Sequence, residues 1–411
     1  MIDIAVMGHG VVGSGVVEVL HTNHEGITAR AGADIHVKYI LDLREFPQLP
    51  YADRFTKDFE QIVRDKDVKV VVETMGGLHP AYEYVKRCLE AGKSVATSNK
   101  ELVASKGAEL LEIARENNAN FLFEASVGGG IPIIRPMSQC LAANDIYEVV
   151  GILNGTTNFI LTKMIREQMT FSDALAMAQK LGYAERDPSA DIEGQDACRK
   201  ICILASLAFG KHVYPDQVKT EGITGVTLTD VEYAASDNRV IKLIGRAKKL
   251  DGDHIFSAVY PALVSRESQL SSVDDVFNAV MVRGNAIGDV IFYGRGAGKL
   301  PTASAVVADV IDCVKHLDAR KYLYWADGQA GYVSDPLEDS VRLYVRASAP
   351  EASAAAAELH ATFGEVHMLS RPGDTAGEVA FITPLSTERA LRRELGECKQ
   401  LKVLSVLHVL D

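Results

Sequence analysis

The run Gly8-His9-Gly10-Val11-Val12-Gly13 constrains this chain more than any other feature. It comes after a short apolar strand, Ile2 to Met7, and opens a helical stretch, Val11 to Leu20. In that context the spacing G-x-G-x-x-G describes a strand–turn–helix that carries a dinucleotide pyrophosphate. Gly8 permits the tight turn, Gly10 lets backbone approach the phosphates, and Gly13 lets helix pack on strand. The start of the helix, including Val11 and Val12, supplies free N–H groups and positive potential. The competing reading is a purely structural turn. His9 reads as a solvated loop residue.

Beyond this helix the chain keeps alternating. Ile35 to Leu41, Val68 to Glu73, Ser94 to Thr97 and Phe121 to Ala125 read as strands. Between them Asp58 to Arg64, Pro80 to Glu90 and Lys100 to Asn117 read as helices. Strands separated by helices imply a parallel sheet with right-handed crossovers. A chain of 411 residues is too long for one such core, so two or three domains are expected.

The middle changes character. Helices are expected at Ile131 to Ala142, Asn158 to Gln168, Phe171 to Leu181 and Asp196 to Ala208. Tyr147 to Leu153, Ile255 to Ala262, Asn278 to Asn285 and Asp289 to Gly294 read as strands, the later ones antiparallel. This is an α+β pattern. Thr302 to His316 is a helix that suits the first sheet, and Tyr322 to Asp339 is a connection. From Ser340 onward the order is βαββαβ, a ferredoxin-like sandwich.

Charge and cysteine use narrow the function. A net charge of −12 argues against a nucleic-acid partner. The six cysteines are scattered and read as reduced, buried thiols. No signal peptide or membrane-spanning run is evident, so a cytoplasmic enzyme is the default.

Polar residues gather at the expected carboxyl ends of the strands. Asp42 would accept hydrogen bonds from a ribose 2′-hydroxyl and so favours NAD; Arg44 would pair with a 2′-phosphate and favours NADP. The balance leans to NAD. Thr74 lies in Glu73-Thr-Met-Gly-Gly, after the third strand. Lys100 stands where nicotinamide and substrate should meet; its bland reading is a solvated lysine at a helix start. The loop Glu124-Ala-Ser-Val-Gly-Gly-Gly-Ile-Pro binds an anion through N–H groups, binds a cation through carbonyls, or is only a hinge. In Asn154-Gly-Thr-Thr-Asn158, Thr157 or Asn158 caps a helix, or the same groups line a substrate site.

The densest constellation runs from Gly182 to Lys200 and includes Tyr183, Glu185, Asp187, Asp191, Glu193 and Asp196. Asp196 and Lys200 share one face of an otherwise apolar helix. They point into a partly buried cleft, or they form an exposed ion pair worth at most about 0.5 kcal/mol. The loop carboxylates suit an α-ammonium group.

The series GHGVVG, TSNK, EASVGGGIPIIRP, GILNGTTNFIL, LGYAERDPSADIEGQDACRK and GRGAGKLPTASAVVAD closely resembles homoserine dehydrogenase, in family order over most of residues 1–320. The tail resembles an ACT domain, and no aspartate kinase segment is evident. The resemblance implies an NAD(P)-binding Rossmann domain at 1–130, completed by about 300–320, a catalytic and dimerisation domain at 131–299, and an ACT-like regulatory domain at 338–411. It implies reduction of L-aspartate 4-semialdehyde to L-homoserine with NAD(P)H. Lys200 is then the proton donor. Glu185, Asp191 and Asp196 bind substrate, in the polar region that includes Tyr183 and Thr156. Lys100 lies beside nicotinamide and substrate, and Gly298 near the cofactor. A sodium ion is implied at Glu124, Val127, Gly129 and Ile131, largely through carbonyls. Threonine is the implied effector, and a homodimer or homotetramer the implied assembly. Asp42 departs from the apolar or basic residue common in the family, which weakens an NADP preference.

The chemistry is coherent from below. Hydride transfer to an aldehyde builds negative charge on oxygen, and a nearby ammonium stabilises it and supplies the proton. Two other readings compete. Aspartate-semialdehyde dehydrogenase needs a cysteine nucleophile, and Cys140, Cys198 and Cys202 all fall on expected helices. A nucleotide-sensing regulatory protein would not need the Glu185–Asp196–Lys200 set.

Overall fold

The computed structural model describes residues 1–319, 323–371, 373 and 377–410, with the side chain of residue 352 left aside. The start of the expected connection, Tyr322, lies outside the described residues.

The first elements are β1 (Ile2–Met7), α1 (Val11–Thr22), α2 (His24–Ala31), β2 (Ile35–Leu41), β3 (Phe55–Thr56), α3 (Phe59–Arg64) and β4 (Val68–Glu73). They continue with α4 (Ala81–Glu90), β5 (Ser94–Thr97), α5 (Lys100–Glu116), β6 (Phe121–Leu122) and the single turn α6 (Ala125–Gly128). Then come β7 (Ile146–Ile152), α7 (Gly155–Glu167), α8 (Phe171–Lys180), α9 (Ser189–Ile192), α10 (Gln195–Phe209), β8 (Lys219–Thr220) and α11 (Leu228–Ser236). β9 (Arg239–Lys249), β10 (Ile255–Ser265), β11 (Phe277–Gly284), β12 (Gly288–Arg295) and α12 (Lys299–Lys315) come next. The tail is β13 (Ser340–Ser348), α13 (Ala352–Phe363), β14 (His367–Leu369), β15 (Glu378–Ile382), β16 (Ser386–Thr387), α14 (Glu388–Glu397) and β17 (Lys402–Leu410).

The chain forms two compact units. The first comprises 1–147, 202–215 and 282–329; the second comprises 148–201, 216–281 and 330–411. The tail therefore shares a unit with 216–281. Among the described residues no helix is long and apolar enough to cross a membrane.

In the first unit six strands line up in the order β3-β2-β1-β4-β5-β6, and the registered pairs are parallel. β1 and β4 sit at the centre, and their middles, Ile4 to Val6 and Val70 to Val72, are apolar and fully buried, as strands covered on both faces must be. α12 packs on α1 where Gly15 leaves room: a Cβ there would lie 3.0 Å from Ala303 Cβ.

In the second unit the strand order is β11-β7-β9-β10-β17-β13-β15-β14. β9 and β10 form a long antiparallel ladder from Arg239↔Ser265 to Lys249↔Ile255. β17 runs parallel to β10 through Ala262↔His408 to Val264↔Leu410, and antiparallel to β13 on its other side. The tail's ferredoxin-like ACT fold thus continues the sheet. Its core gathers Leu343, Val345, Leu359, Phe381 and Leu391 beneath α13 and α14.

Three expectations need correction. The helix expected over 131–142 is a short helical turn ending in Pro136–Cys140. Pro132 has no N–H, and the N–H groups of Ile133, Ile134 and Arg135 point instead at the Glu124 carboxylate. The helix expected from Asn158 begins at Gly155, and its cap is Asn154, which accepts from Thr157 N–H at 2.8 Å. The longest elements that escaped the sequence reading are α2, α11 and the strand β9, whose run RVIKLIGRAKK lacks clean alternation because it is buried along most of its length.

Candidate active site

The glycine turn closes as its spacing demands. Gly8 has φ of +93°, and its N–H donates to Leu41 O at 2.8 Å. A Cβ on Gly13 would lie 1.9 Å from Gly8 O, so only glycine lets α1 approach the turn. A Cβ on Gly10 would meet nothing within 4 Å, which leaves the approach to the helix start open. Gly10 caps α1 without a side-chain bond, so the N–H groups of Val11, Val12 and Gly13 face that space. Thr74 acts on the turn itself: its hydroxyl donates to Met7 O and Gly8 O at 3.1 and 3.0 Å. This cradle fits a dinucleotide pyrophosphate.

At the end of β2, Asp42 and Arg44 hold each other. Asp42 accepts from Arg44 N, Nε and Nη2 at 2.9, 3.0 and 2.9 Å. It also accepts from His9 N at 2.8 Å. The Arg44 side chain keeps the Asp42 carboxyl far below its ordinary range. The solvated reading of His9 is overturned. Its ring is 6% exposed and stands edge-on to Phe46 and Phe55, each at 5.0 Å, with Tyr51 at 5.9 Å. Burial lowers its pKa, so it is a neutral wall residue. The aromatic run 46–55 was the missed signal.

Glu73 ends β4 fully buried, accepting from Thr97 Oγ1 at 2.5 Å and from the Met75 and Gly76 N–H groups at 2.8 and 3.3 Å. Burial raises its pKa. Lys100 opens α5, which Asn99 caps through Leu102 N–H at 3.1 Å.

The Glu124 loop is tight and buried. The Glu124 carboxylate accepts the three N–H groups of 133–135 at 2.6–2.8 Å. Its own N–H donates to Asp309, which also pairs with Arg135 at 2.6 Å. Burial pushes the Asp309 pKa up to about 8. Gly129 has φ of +56°, and a Cβ there would sit 2.3 Å from Gly296 O. Two glycine loops of the first unit therefore touch, and Gly298 (φ +125°) caps α12 just beyond. Val127 and Ile131 are buried. Among the described residues no group of three His, Cys, Asp or Glu side chains is arranged to hold a metal. The Glu124 carboxylate already accepts three N–H groups, and the backbone carbonyls of this loop are further oxygens that a cation could meet.

The second unit carries the other polar centre. Lys200 is 8% exposed and Asp196 4%, which rules out the reading of an exposed ion pair. Lys200 Nζ lies 2.8 Å from Asp196 Oδ2 and donates to Leu153 O at 2.8 Å. Asn154 Nδ2 donates to Asp191 Oδ1 at 2.7 Å and to Asp196 Oδ2 at 2.9 Å. Burial first, then the charge of Asp196, raises the pKa of Asp191. Thr156 Oγ1 donates to Tyr183 O at 2.7 Å, fixing the start of the polar loop. Tyr183 and Glu185 are themselves exposed, and the Glu185 carboxylate makes no hydrogen bond or ion pair among the described residues.

The structure thus brings Asn154, Asp191, Asp196 and Lys200 together and leaves Glu185 exposed on the loop that follows α8. Asn154 as organiser was not expected. A buried ammonium fixed between a carboxylate and a carbonyl is suited to proton transfer. Cys198 and Cys202 are buried on α10, and Cys140 is exposed, contrary to the buried reading.

The chain is similar to known proteins along its whole length. Residues 132–311 match the family model described as homoserine dehydrogenase, and 8–124 match that described as homoserine dehydrogenase, NAD binding domain. A homoserine dehydrogenase of Synechocystis is 40% identical over 435 residues, covering 100% of both chains. The crystal structure of a homoserine dehydrogenase from Thiobacillus denitrificans superposes with a TM-score of 0.88 at 33% identity, covering 100% of this chain and 98% of that one. A hyperthermophilic archaeal homoserine dehydrogenase in complex with NADPH gives 0.64 at 29% identity, covering 76% of this chain and 97% of that one.

Proposed function

Because this chain belongs to the homoserine dehydrogenase family, we propose that Lys200 is the proton donor in its NAD(P)H-dependent reduction of L-aspartate 4-semialdehyde to L-homoserine. The observation that carries this reading is the buried Lys200 ammonium, held 2.8 Å from both Asp196 and Leu153 O. A dinucleotide held at the glycine turn would supply hydride to the aldehyde carbon. Lys200 stabilises the negative charge that develops on the aldehyde oxygen and gives it a proton from Nζ, completing the alcohol. In oxidation the same nitrogen takes the proton back. Asp191, Asp196 and Glu185 hold the substrate ammonium, with Tyr183 and Thr156 at the mouth of that site. Lys100 serves beside nicotinamide and substrate.

The dinucleotide rests on Gly8, Gly10, Val11, Val12 and Gly13, with Thr74 bracing the turn and Gly298 beside it. We favour NAD over NADP. Turning the Arg44 side chain to a 2′-phosphate would cost the Asp42 carboxylate the two guanidinium hydrogen bonds it now accepts. We further propose a sodium ion on carbonyls of Glu124, Val127, Gly129 and Ile131, threonine as effector of the tail, a homodimer or homotetramer, and a cytoplasmic setting. In functional terms 1–130 with about 300–320 binds cofactor, 131–299 carries catalysis and dimerisation, and 338–411 regulates.

Homoserine oxidation assayed with NAD and with NADP tests the reading. Lys200→Ala should lose about 10²- to 10⁴-fold in turnover while binding dinucleotide normally. Near-normal turnover in that variant would remove Lys200 from the mechanism.

A further inference from the structure

Glu73 is a buried site carboxylate that the proton-transfer mechanism leaves unused. It is fully buried at the carboxyl end of β4, bonded by three N–H donors, the Met75 and Gly76 backbone groups and the Asn99 amide, and by the Thr97 hydroxyl, which can donate to it as well. Three N–H donors and a hydroxyl free to turn its hydrogen toward Glu73 suit an ionised carboxylate, which can only accept. Among the described residues Glu73 forms no ion pair. A buried anion held by dipoles alone is costly, and its raised pKa reports that cost.

The sheet order says what faces it. Ligands of such sheets bind outside the carboxyl ends of the strands, where the order reverses, here between β1 and β4. The pyrophosphate belongs to the β1–α1 turn and the adenosine ribose to the end of β2, where Asp42 stands. The ends of β4 and β5 remain for nicotinamide. Glu73 bonds both loops that leave those ends, 74–77 and 97–99.

We infer that Glu73 is an electrostatic selector of the coenzyme's redox state, its buried negative charge favouring the cationic oxidised nicotinamide ring over the neutral reduced one. The inference rests on dinucleotide binding at the glycine turn. It gives Glu73 two effects: it ties the loops that line the ring's side, and it offsets the ring's positive charge. The second effect separates it from a structural residue, because only a charge distinguishes two rings of nearly equal shape.

The test is binding, not turnover. NADH is titrated by its fluorescence, and NAD by displacement of NADH, on the whole protein and on Glu73→Gln. Glu73→Gln should weaken NAD by about tenfold, the scale of opposite charges roughly 10 Å apart at an effective dielectric near 20, and NADH by less than about twofold. Equal losses for both forms, or no loss for either, would overturn the inference. A second measurement needs no variant: the wild type should bind NAD more tightly than benzamide adenine dinucleotide, whose ring is neutral. Equal affinity for those two also overturns it. Failure of the wild type to bind NADH at all would instead overturn dinucleotide binding itself, and this inference with it.

Discussion

Replacing Asn154 by alanine removes one small side chain and unties three segments. Asn154 caps α7, and its Oδ1 accepts from Thr157 N and Oγ1 at 2.8 and 3.0 Å. Loss of an N-cap of this kind costs about 1 kcal/mol. Its Nδ2 also supplies donors to Asp191 and Asp196. Each carboxylate left short of a donor in a buried setting adds about 1–1.5 kcal/mol. The sum is about 3–4 kcal/mol, a large share of the 5–15 kcal/mol typical of a folded protein. The loss depends on pH with a definite sign. Burial and Asp196 raise the Asp191 pKa in the folded state. Between the unfolded value of about 3.9 and that raised value the folded protein binds the extra proton. Stability therefore falls as pH rises through that window, and acidification relieves the strain. Urea unfolding of wild type and Asn154→Ala should show a gap that is larger at about pH 8 than at about pH 5. Asn154→Asp keeps the cap but adds a third carboxylate, and should lose homoserine turnover more severely than it loses stability. A gap below about 1 kcal/mol with unchanged kcat/KM would refute the role of Asn154 as organiser.

The same geometry carries other outcomes. Gly13→Ala places a Cβ against Gly8 O, and NADH titration should show at least about tenfold weaker binding. Arg44→Ala removes the sole side-chain partner of Asp42 among the described residues and any grip on a 2′-phosphate; the NAD-to-NADP ratio of kcat/KM should rise about tenfold, and an unchanged ratio would show that discrimination lies elsewhere. Arg346→Met leaves Asp230, which is fully buried on α11 and bonded by Arg346 Nε at 2.8 Å, without its cation. Chemical denaturation should show a loss of about 3–5 kcal/mol.

Much of the first unit was legible because local and global signals agree there. Apolar strand cores, glycine at Gly8 and Gly13 and a helix start at Val11 all demand one geometry. Ser94–Thr97 appears with the bounds its sequence suggests. The failures share a cause: a distant group decides the local conformation. The 131–142 stretch looks helical until the Glu124 carboxylate claims its N–H groups. His9 looks like a loop residue until Phe46 and Phe55, far along the chain, close over it. Asn154 and Asp196 are 42 positions apart, and no spacing announces that one amide holds two carboxylates. Conversely, the i, i+4 spacing of Asp196 and Lys200 revealed their pairing but not their burial, which comes from Leu153 and the apolar flanks of α10.

The place of β17 has a consequence for how the chain is made. β17 lies between β10 and β13, so it is an interior strand although it emerges from the ribosome after every other strand described. Until it arrives, β10 and β13 each present an open edge along residues that are largely buried in the finished protein. The second unit is therefore closed by its last piece, as a zip is closed by its slider. Interruption of synthesis within the tail leaves the edge of β10 open, so chains cut short there should aggregate.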